Sequence, residues 1–466
     1  MQIQILNGIY TDDVGEFRTS YPRNLIPVPK DQGISKGYLN PADGIHLFGT
    51  GPGIGRGGIR WNNECYRSMG SKLVKIDVNG VATTLGEIGD GGQCSIDYSF
   101  DRLAISSNGK LFYWNGSTLT QVTDPDLGIV VDFIFIDGYF LITDGTYLIV
   151  TELSDPNSIN PLKYGSAESD PDSIKGVLKL HNEPYAIGRY TIEAFENVGG
   201  SLFPYNRIKG ALINKGAIGT HAATIYKEAI AFVGGGRNET PAVYLGKNAS
   251  AIKISTREID QILSEYSETE LSSIFIETRL DKNHAHLLVH LSDKTLVYDD
   301  NASQLLGQLV WFVLDSGVLT SKQYRARNLV WCYDKWLVDD PTSSNHGFFR
   351  DDISTHYNYS VGWEFNTQIL YNNGKGGILH DMELVALPGR IPLGADPYVW
   401  TSYTLDGETW SNERYIAAGK QGQRDKRLVW FQQGAMNNWR IQKFRGNSAA
   451  HFPVARLEGN LEPLYA

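Results

Sequence analysis

The sequence predicts an all-β protein: a six- or seven-bladed β-propeller with a short helical insertion, followed by a C-terminal β-sandwich. Composition supports this fold class, because the 466 residues include 49 glycines, 25 tyrosines and 10 tryptophans but only 4 methionines. Such numbers are typical of short strands joined by tight turns, whereas helix-rich chains favour Ala, Leu, Met and Glu. Alternating hydrophobic segments, each followed by a turn signal, recur along the chain and favour the same class.

Length and overall composition bound the number of domains. A chain of 466 residues is too long for one ordinary hydrophobic core, so two or three domains are expected. Hydrophobic residues make up 41% and charged residues 20%, a balance typical of globular proteins.

Hairpins with strong turn signals recur in the first 360 residues. Residues 103–106 turn at Asn108-Gly109 into residues 111–114, and residues 133–136 turn at Asp137-Gly138 into residues 139–142. Asn-Gly and Asp-Gly are the strongest hairpin signals, because both central positions of a type I′ turn require a positive φ. Longer units of the same kind follow as far as residue 349.

The spacing of these units predicts the propeller. One strand position in each unit can be marked, at Leu73, Leu111, Tyr147, Ile192, Val243, Leu296 and Phe348. The spacings are 38, 36, 45, 51, 53 and 52 residues, and propeller blades of four strands run at roughly 40–50 residues each. We therefore assign residues 51–358 to the propeller and residues 1–50 to an N-terminal arm that holds the closing strand.

Two short helices are predicted within the propeller, in residues 255–273. A capping box at Ser255–Glu258 precedes apolar residues at helical spacing, and a second box follows at Ser267–Glu270. A long loop on one rim is predicted from Ser154 to Ser173, which contains three Xaa-Pro pairs.

After Tyr359 the pattern changes, and residues 359–466 are predicted to form a separate β-sandwich. Its strands are expected at residues 364–371, 381–387, 398–403, 428–432 and 438–444, with a last strand and tail in residues 453–466.

Charge and cysteine content exclude several function classes. The net charge of -10 argues against tight nucleic-acid binding, which requires clustered Lys and Arg. Cys65, Cys94 and Cys332 form no CxxC pair and no disulfide framework, which favours folding in a reducing compartment. The first residues lack the basic and apolar regions of a signal peptide. No apolar run is long enough to cross a bilayer, so no membrane partner is expected.

Metal and cofactor patterns are weak. Residues 53–58 match GxGxxG by letter, but a strand-like segment follows where a dinucleotide site requires a helix, so no cofactor is predicted. His284, His286 and His290 share one face of a predicted strand, as zinc or nickel ligands would. The alternative is an outward face of solvated histidines beside Asp281 and Asp293.

Catalytic patterns are also weak. The segment Thr404–Trp410 resembles a sialidase Asp-box, but its Asp and Gly are adjacent and it occurs once, so an Asp-Gly hairpin is the better interpretation. Neighbouring acidic residues such as Asp299-Asp300 and Asp339-Asp340 point to opposite faces of a strand and form no catalytic dyad. No nucleophile elbow, metalloprotease motif or P-loop is present. We predict no enzyme and no catalytic residue.

The C-terminal domain is locally basic, and its basic residues either contact DNA or an acidic partner or lie on an outer strand face. These residues are Arg424, Lys426, Arg427, Arg440, Lys443, Arg445 and Arg456.

Several segments together resemble a known protein family. The helix at residues 257–263 is followed by Tyr266-Ser267, by the strands at 286–291 and 295–299, and by Trp311. Shorter matches lie at Gly55–Gly57 and at residues 425–427 with Trp430. In these segments the chain resembles the packaged-DNA stabilisation, or tail hub (nozzle), proteins of short-tailed double-stranded DNA phages.

The resemblance implies a structural virion protein with no catalytic residues. It implies a homo-oligomeric ring, with six copies expected, below the portal and its tail adaptor (the head-to-tail connector). Genomic double-stranded DNA would pass non-specifically through the lumen during genome ejection. The ring would retain packaged DNA and dock a tail needle or plug and tailspikes or fibres. The location would be the virion tail, after assembly in the host cytoplasm.

Two alternatives from other classes stay open. One is a carbohydrate-active propeller of the sialidase or lyase kind, which requires clustered Arg and carboxylate side chains at one end of the propeller axis. The other is a glycan-binding receptor protein that uses exposed Trp and Tyr side chains of the C-terminal domain.

Overall fold

The structure is a computed structural model that describes residues 1–11, 16–30, 35–153, 155–167, 169–391, 395–447 and 453–464. Strands dominate these residues, and the fold class predicted from the sequence is confirmed. None of the helices in these ranges has both the length and the apolar character needed to cross a membrane.

The propeller has seven blades in the described part of the chain, which settles the predicted six or seven. Blades 1 and 2 consist of Gly55–Trp61, Glu64–Met69, Lys72–Ile76 and Ala82–Glu87, and of Ser95–Tyr98, Leu103–Ser107, Lys110–Trp114 and Leu119–Gln121. Blades 3 and 4 consist of Asp132–Ile136, Tyr139–Thr143, Tyr147–Thr151 and Ile159–Ser166, and of Ile174–Leu180, Glu183–Gly188, Ile192–Asn197 and Tyr205–Ile213.

Blade 5 has five strands, because its first strand is split: Gly216–Ala217, Ala223–Tyr226, Ala229–Gly235, Ala242–Lys247 and Ser250–Lys253. Blades 6 and 7 consist of Phe275–Asp281, His284–His290, Thr295–Asp299 and Trp311–Leu314, and of Arg327–Cys332, Lys335–Asp339, Asn345–Arg350 and Gly44–Thr50. The first strand of each blade lies next to the first strands of both neighbouring blades, so the inner strands close into a ring.

The seven marker positions chosen from the sequence fall in seven different blades. Each lies in the third strand of its blade, as Leu73 does in Lys72–Ile76 and Phe348 does in Asn345–Arg350. The largest spacing, 53 residues from Val243 in blade 5 to Leu296 in blade 6, arises because the helical insertion lies between them. The seven marked positions therefore correspond to the seven blades.

Blade 7 is built from both ends of the propeller sequence. Its outermost strand, Gly44–Thr50, pairs antiparallel with Asn345–Arg350. The chain thus enters the propeller beside the point at which it leaves, and hydrogen bonds between backbone atoms join Gly44 and Ile45 to residues 353 and 355. Closure by hydrogen-bonded strands from distant parts of the sequence leaves no open edge between first and last blade.

Three helices are present in the described ranges: α1, Arg257–Ser264; α2, Glu268–Ser272; and α3, Asp300–Leu306. The predicted capping box at Ser267 and Glu270 is present at α2. At α1 the cap is Thr256, one residue later than the predicted Ser255. Helix α3 was not predicted. It begins because the Asp299 carboxylate accepts hydrogen bonds from the first free amides, and it ends at Gly307 with φ 66°.

The sandwich consists of two sheets. One contains Gly362–Asn366, Leu370–Tyr371, Trp439–Asn447, Tyr398–Thr404 and Arg414–Ala417. The other contains Gly377–Ala386, Leu428–Met436 and Val454–Pro463 from the C-terminal region. The last of these is the strand expected in residues 453–466, of which 465 and 466 lie outside the described residues.

The N-terminal region differs from its expected role as an arm of the propeller. Gln2–Ile3, Leu25–Pro29 and Gly37–Pro41 join the second sheet of the sandwich. Gly8–Thr11 and Phe17–Ser20 pair as a separate hairpin, and of the described strands in residues 1–50 the one in the propeller is Gly44–Thr50. Ile3 and Leu25 are buried in the sandwich core beside Phe444. Burial of these apolar side chains is the physical reason, because residues 359–466 alone leave one side of that core uncovered. Residues 12–15 and 31–34 of this region lie outside the described residues.

The segment Pro22–Asn24 joins the two domains. The Asn24 N–H donates to Val313 O of blade 6 at 2.8 Å, and the Arg23 N–H donates to Glu364 O of the sandwich at 2.9 Å. The Arg23 guanidinium pairs with Asp315 at 3.3 Å. Pro22–Asn24 thus forms backbone hydrogen bonds with one strand of each domain.

The rim loop predicted from Ser154 to Ser173 is wrong in part. Residues Ile159–Ser166 form the outermost strand of blade 3, in register with Tyr147–Thr151. Pro161 is compatible with this edge position because it needs to donate no ladder hydrogen bond there. Residues 154 and 168 lie outside the described residues.

We predict that Asn24→Gly lowers the free energy of unfolding by about 2–4 kcal/mol. The Asn24 side chain is 5% exposed and makes three hydrogen bonds, to Gly362 O at 2.6 Å, to Asp315 Oδ1 at 3.3 Å and from Asp315 N at 3.0 Å. Glycine keeps the φ of 53°, so the substitution removes the side chain without backbone strain. Urea denaturation followed by tryptophan fluorescence measures the loss.

The matched control is Asn248→Gly, at an exposed turn position with φ 51°. Both variants gain the same backbone freedom in the unfolded state. Equal destabilisation of the two variants would mean that the Asn24 side chain does not hold the domains together.

Candidate functional site

The propeller axis holds a pocket of about 290 Å³ bordered by the inner strands. Its lining includes the polar side chains of Gln93, His221, Glu277 and Asn328. The Glu277 carboxylate is engaged, because it accepts from the Leu329 N–H at 2.7 Å and lies 2.8 Å from His290 Nε2. Gln93 Nε2 also donates to Asn328 Oδ1 at 2.6 Å, so polar side chains of the pocket wall bond to one another.

Carboxylates tie neighbouring inner strands together across the blades. Asp97 of blade 2 accepts from the Phe135 N–H of blade 3 at 2.7 Å, and Asp132 of blade 3 accepts from the Val177 N–H of blade 4 at 2.9 Å. Glu277 of blade 6 does the same for blade 7. Each carboxylate satisfies a backbone amide that no ladder partner reaches.

Burial changes the ionisation of one of these groups. Asp132 is 8% exposed, and burial raises the pKa of its carboxyl to about 6, against hydrogen bonds that lower it. A buried carboxyl in an inner strand has a structural explanation here, as a link between blades 3 and 4.

The axis lacks the arrangement that a carbohydrate-active propeller requires. Among the described residues that line the axial pocket there is one carboxylate, Glu277, and no arginine. The neighbouring acidic residues in the sequence are also engaged: Asp300 pairs with Lys227, Asp339 with Arg67 at 2.6 Å, and Asp340 with Arg325 at 2.5 Å.

The three predicted histidine ligands do not come together. His284 Nδ1 lies 2.5 Å from Asp299 Oδ2, and His286 Nε2 lies 3.6 Å from the same oxygen. His290 lies apart, bonded to Glu277 and to Thr295. The interpretation of these residues as a solvated face is wrong, because His286 is 7% and His290 is 5% exposed. The face packs against blade 7, which burial of Leu288 in the same core confirms.

Asp299 is the member of this cluster that the sequence analysis missed. It ends the strand Thr295–Asp299 and caps α3, so its place opposite His284 and His286 follows from the pairing of two neighbouring strands. The sequence around Asp299 does not predict this contact, because the contact is set by the register between the two strands.

A second pocket, of about 560 Å³, opens beside this cluster between the propeller and the sandwich. Its lining includes Ile26 and Tyr38 from the sandwich, and His284 and His286 from blade 6. Arg279 also lines it, and its guanidinium pairs with Asp43 at 2.5 Å and Asp281 at 2.6 Å.

The basic residues of the C-terminal domain do not form a free basic surface. Arg427, Arg445 and Arg456 pair with Glu383, Glu413 and Glu458. Arg440 is fully buried with its guanidinium 3.7 Å from the centroid of the Tyr403 ring. Lys443 lies over the Trp410 ring at 4.3 Å. Of the seven, Arg424, Lys426 and the paired Arg427 are exposed on one loop.

Two other sequence motifs have structural roles. The GxGxxG segment runs into the first strand of blade 1, Gly55–Trp61, where a dinucleotide site would need a helix. The expected Asp-Gly hairpin is instead a longer connection over residues 405–413, in which Asp406 accepts from the Glu408 and Thr409 N–H groups at 3.0 and 2.8 Å.

Comparison with protein families accounts for both domains. Residues 1–354 match the family model described as the β-propeller of bacteriophage P22 Gp10, and residues 362–462 match the model of its β-sandwich. The chain belongs to the P22 Gp10 family. A Gp10-family relative, the tail hub protein gp10 of Salmonella phage P22, is 27% identical over 451 residues, which cover 92% of each chain.

Solved structures with a similar fold are more distant from this Gp10-family chain. A computationally designed protein, Ika8, matches with a TM-score of 0.42 and 10% identity over 66% of this chain and 100% of its own. The Pan2 WD40 domain of Neurospora crassa matches with a TM-score of 0.41 and 9% identity over 64% and 89% of the two chains. Nothing about function follows from either.

Membership of the Gp10 family identifies the chain as a structural protein of a phage tail, where it assembles with other virion proteins. A family of tail hub proteins implies a structural role rather than an enzymatic one.

We predict that Asp132→Asn changes the pH dependence of stability. The folded-state pKa of about 6 lies above the unfolded value of about 3.9. The contribution of this carboxyl to the free energy of unfolding is therefore fully present below about pH 4, where the group is protonated. It is lost as pH rises through 6, by up to about 3 kcal/mol. The variant should therefore be the more stable protein at pH 7 and should lose this advantage at pH 4.

Urea denaturation of both proteins between pH 4 and 7.5 measures this difference. Asp90→Asn, at an exposed loop position, is expected to follow the wild-type profile. A difference between Asp132→Asn and wild type that stays constant across the range would contradict the prediction.

Proposed function

We propose that this chain forms a ring of six copies in the phage tail, below the portal and its adaptor. The ring continues the DNA channel, retains packaged DNA, and docks a tail needle or plug and tailspikes or fibres. Subunits fold in the host cytoplasm before they join the virion. The observation that carries the proposal is the likeness to a tail hub protein over 92% of both chains, with both domains included.

The size of the axial pocket supports an oligomer. A space of about 290 Å³ is at the lower end of small-molecule pockets, so no DNA duplex threads the axis of a single propeller. A DNA channel built from this chain must then lie between copies. A ring of subunits provides such a channel, and closed rings are a common outcome of head-to-tail contacts.

The charge distribution supports non-adhesive passage of DNA. The net charge is -10, and most of the basic side chains of the sandwich are paired or buried. Repeated around a channel, an acidic subunit repels phosphates and offers few cations that displace counterions. DNA is then retained by geometry and by the plug, with no tight binding to the wall.

The attachment of the domains supports a mechanical role. The propeller is closed by a strand from the N-terminal region, and the sandwich contains further strands from the same region. Neither domain can separate without the loss of hydrogen bonds and ion pairs at Pro22–Asn24. A rigid pair of domains suits a subunit that holds neighbours in position under packing pressure.

We expect the purified chain, mixed with portal and adaptor proteins of the same phage, to form rings. Negative-stain imaging detects the rings, and native mass spectrometry counts the copies, for which six are expected. The chain without the adaptor is the control that separates self-assembly from templated assembly. A chain that stays monomeric with portal and adaptor present contradicts the proposal, as does turnover of a bacterial surface polysaccharide by the chain alone.

A further inference from the structure

His284, His286 and Asp299 present three potential metal-binding atoms to one point. His284 Nδ1, His286 Nε2 and a carboxylate oxygen of Asp299 lie within 4.8 Å of one another. The two imidazole rings are nearly parallel, with centroids 5.1 Å apart and planes at 27°. Residues two apart on a strand point to the same face, and the paired strand provides the carboxylate directly opposite.

The orientation of the Asp299 carboxylate is fixed by the backbone. Its Oδ1 accepts hydrogen bonds from the N–H groups of Ala285, Asn301 and Ala302 at 3.1 to 3.3 Å. Oδ2 is thereby directed at the two histidines. Metal sites commonly hold their first ligands in place with such secondary hydrogen bonds.

His286 has an unsatisfied buried atom at this point. The residue is 7% exposed, and its Nε2 has no hydrogen-bond partner, since Asp299 Oδ2 is 3.6 Å away. A buried imidazole nitrogen without a partner is unfavourable. An ion bound between Nε2 and Oδ2 would satisfy Nε2, and it would replace the proton that Oδ2 now shares with His284 Nδ1.

We propose that this cluster binds one divalent transition-metal ion, with zinc as the best match. His284 Nδ1, His286 Nε2 and Asp299 Oδ2 are the protein ligands, and water from the adjoining pocket takes the fourth position. Two imidazoles and one carboxylate are a ligand set that zinc accepts with tetrahedral geometry, and nitrogen ligands also suit nickel and cobalt.

The surroundings accept a cation. Three positive side chains, Arg279, Lys282 and Arg390, line the adjoining pocket. Arg279 pairs with Asp43 and Asp281, and Lys282 pairs with Asp351. His284 is 19% exposed and lines the 560 Å³ pocket between propeller and sandwich, which gives an entry path. The ion therefore lies at the junction of the domains, where it links the strand His284–His290 to the start of α3.

The test is zinc binding to the full chain after removal of any affinity tag and dialysis against a chelator. Isothermal titration calorimetry should give one high-affinity zinc ion per chain. Titration with cobalt should give the intense visible absorption of a tetrahedral site with nitrogen and oxygen ligands. His286→Gln should weaken zinc binding by at least about tenfold.

His290→Gln is the matched control. His290 lies on the same face of the same strand and is equally buried, but its ring binds Glu277 and Thr295. It should keep the affinity and the cobalt spectrum of the wild type. Asp299→Asn is a poorer variant, because Asp299 also caps α3.

A thermal shift separates loss of the site from loss of folding. Zinc should raise the Tm of the wild type and of His290→Gln, and should leave that of His286→Gln unchanged, provided that each variant shows a cooperative transition without metal. If His286→Gln unfolds, cobalt titration of His284→Ala tests the same site. Absence of zinc binding, or equal affinity in wild type and His286→Gln, overturns the proposal.

Discussion

The structure depends on the short segment Pro22–Asn24, which hydrogen-bonds to a strand of blade 6 and a strand of the sandwich at the same time. The Asn24 side chain then links Asp315 of the propeller to Gly362 of the sandwich. Because these contacts are buried, each unpaired group would cost about 1–3 kcal/mol if the domains parted. The two domains therefore form one mechanical unit, although the chain between them is short and mostly irregular.

The N-terminal region that joins the domains also closes the propeller. The strand that completes blade 7 follows directly after the N-terminal strands of the sandwich, so one continuous stretch builds part of both domains. Within the ring, Asp97, Asp132 and Glu277 use their carboxylates to join neighbouring inner strands. These three acidic side chains thus hold neighbouring blades together.

Short sequence patterns predicted the elements that depend on neighbouring residues. Hairpin turns such as Asn108-Gly109 gave the blades, and the capping box at Ser267 gave α2. Pairing between distant strands could not be predicted from the sequence. Gln2–Ile3 pairs with Val454–Pro463, and a two-residue strand has no pattern that specifies so distant a partner. The edge strand Ile159–Ser166 was not predicted because it contains Pro161. Proline argues against a strand unless the strand is known to lie at the edge of its sheet. Parity placed His284 and His286 together, but the burial of His286 depended on how blade 6 packs on blade 7. The contribution of Asp299 depended on the register of two strands within blade 6.

The axis of the propeller bears on the proposed ring. The pocket at the centre of the propeller has a volume of about 290 Å³ and is bordered by inner strands. A space of this size is far too small for a DNA duplex, so the proposed channel would run along outer surfaces of the subunits. In the proposed ring, each propeller would form one segment of the channel wall, and its attachment to the sandwich at Pro22–Asn24 would fix the angle of that segment. The mechanical link at Pro22–Asn24 thereby connects local hydrogen bonding to the width of any lumen that several copies enclose.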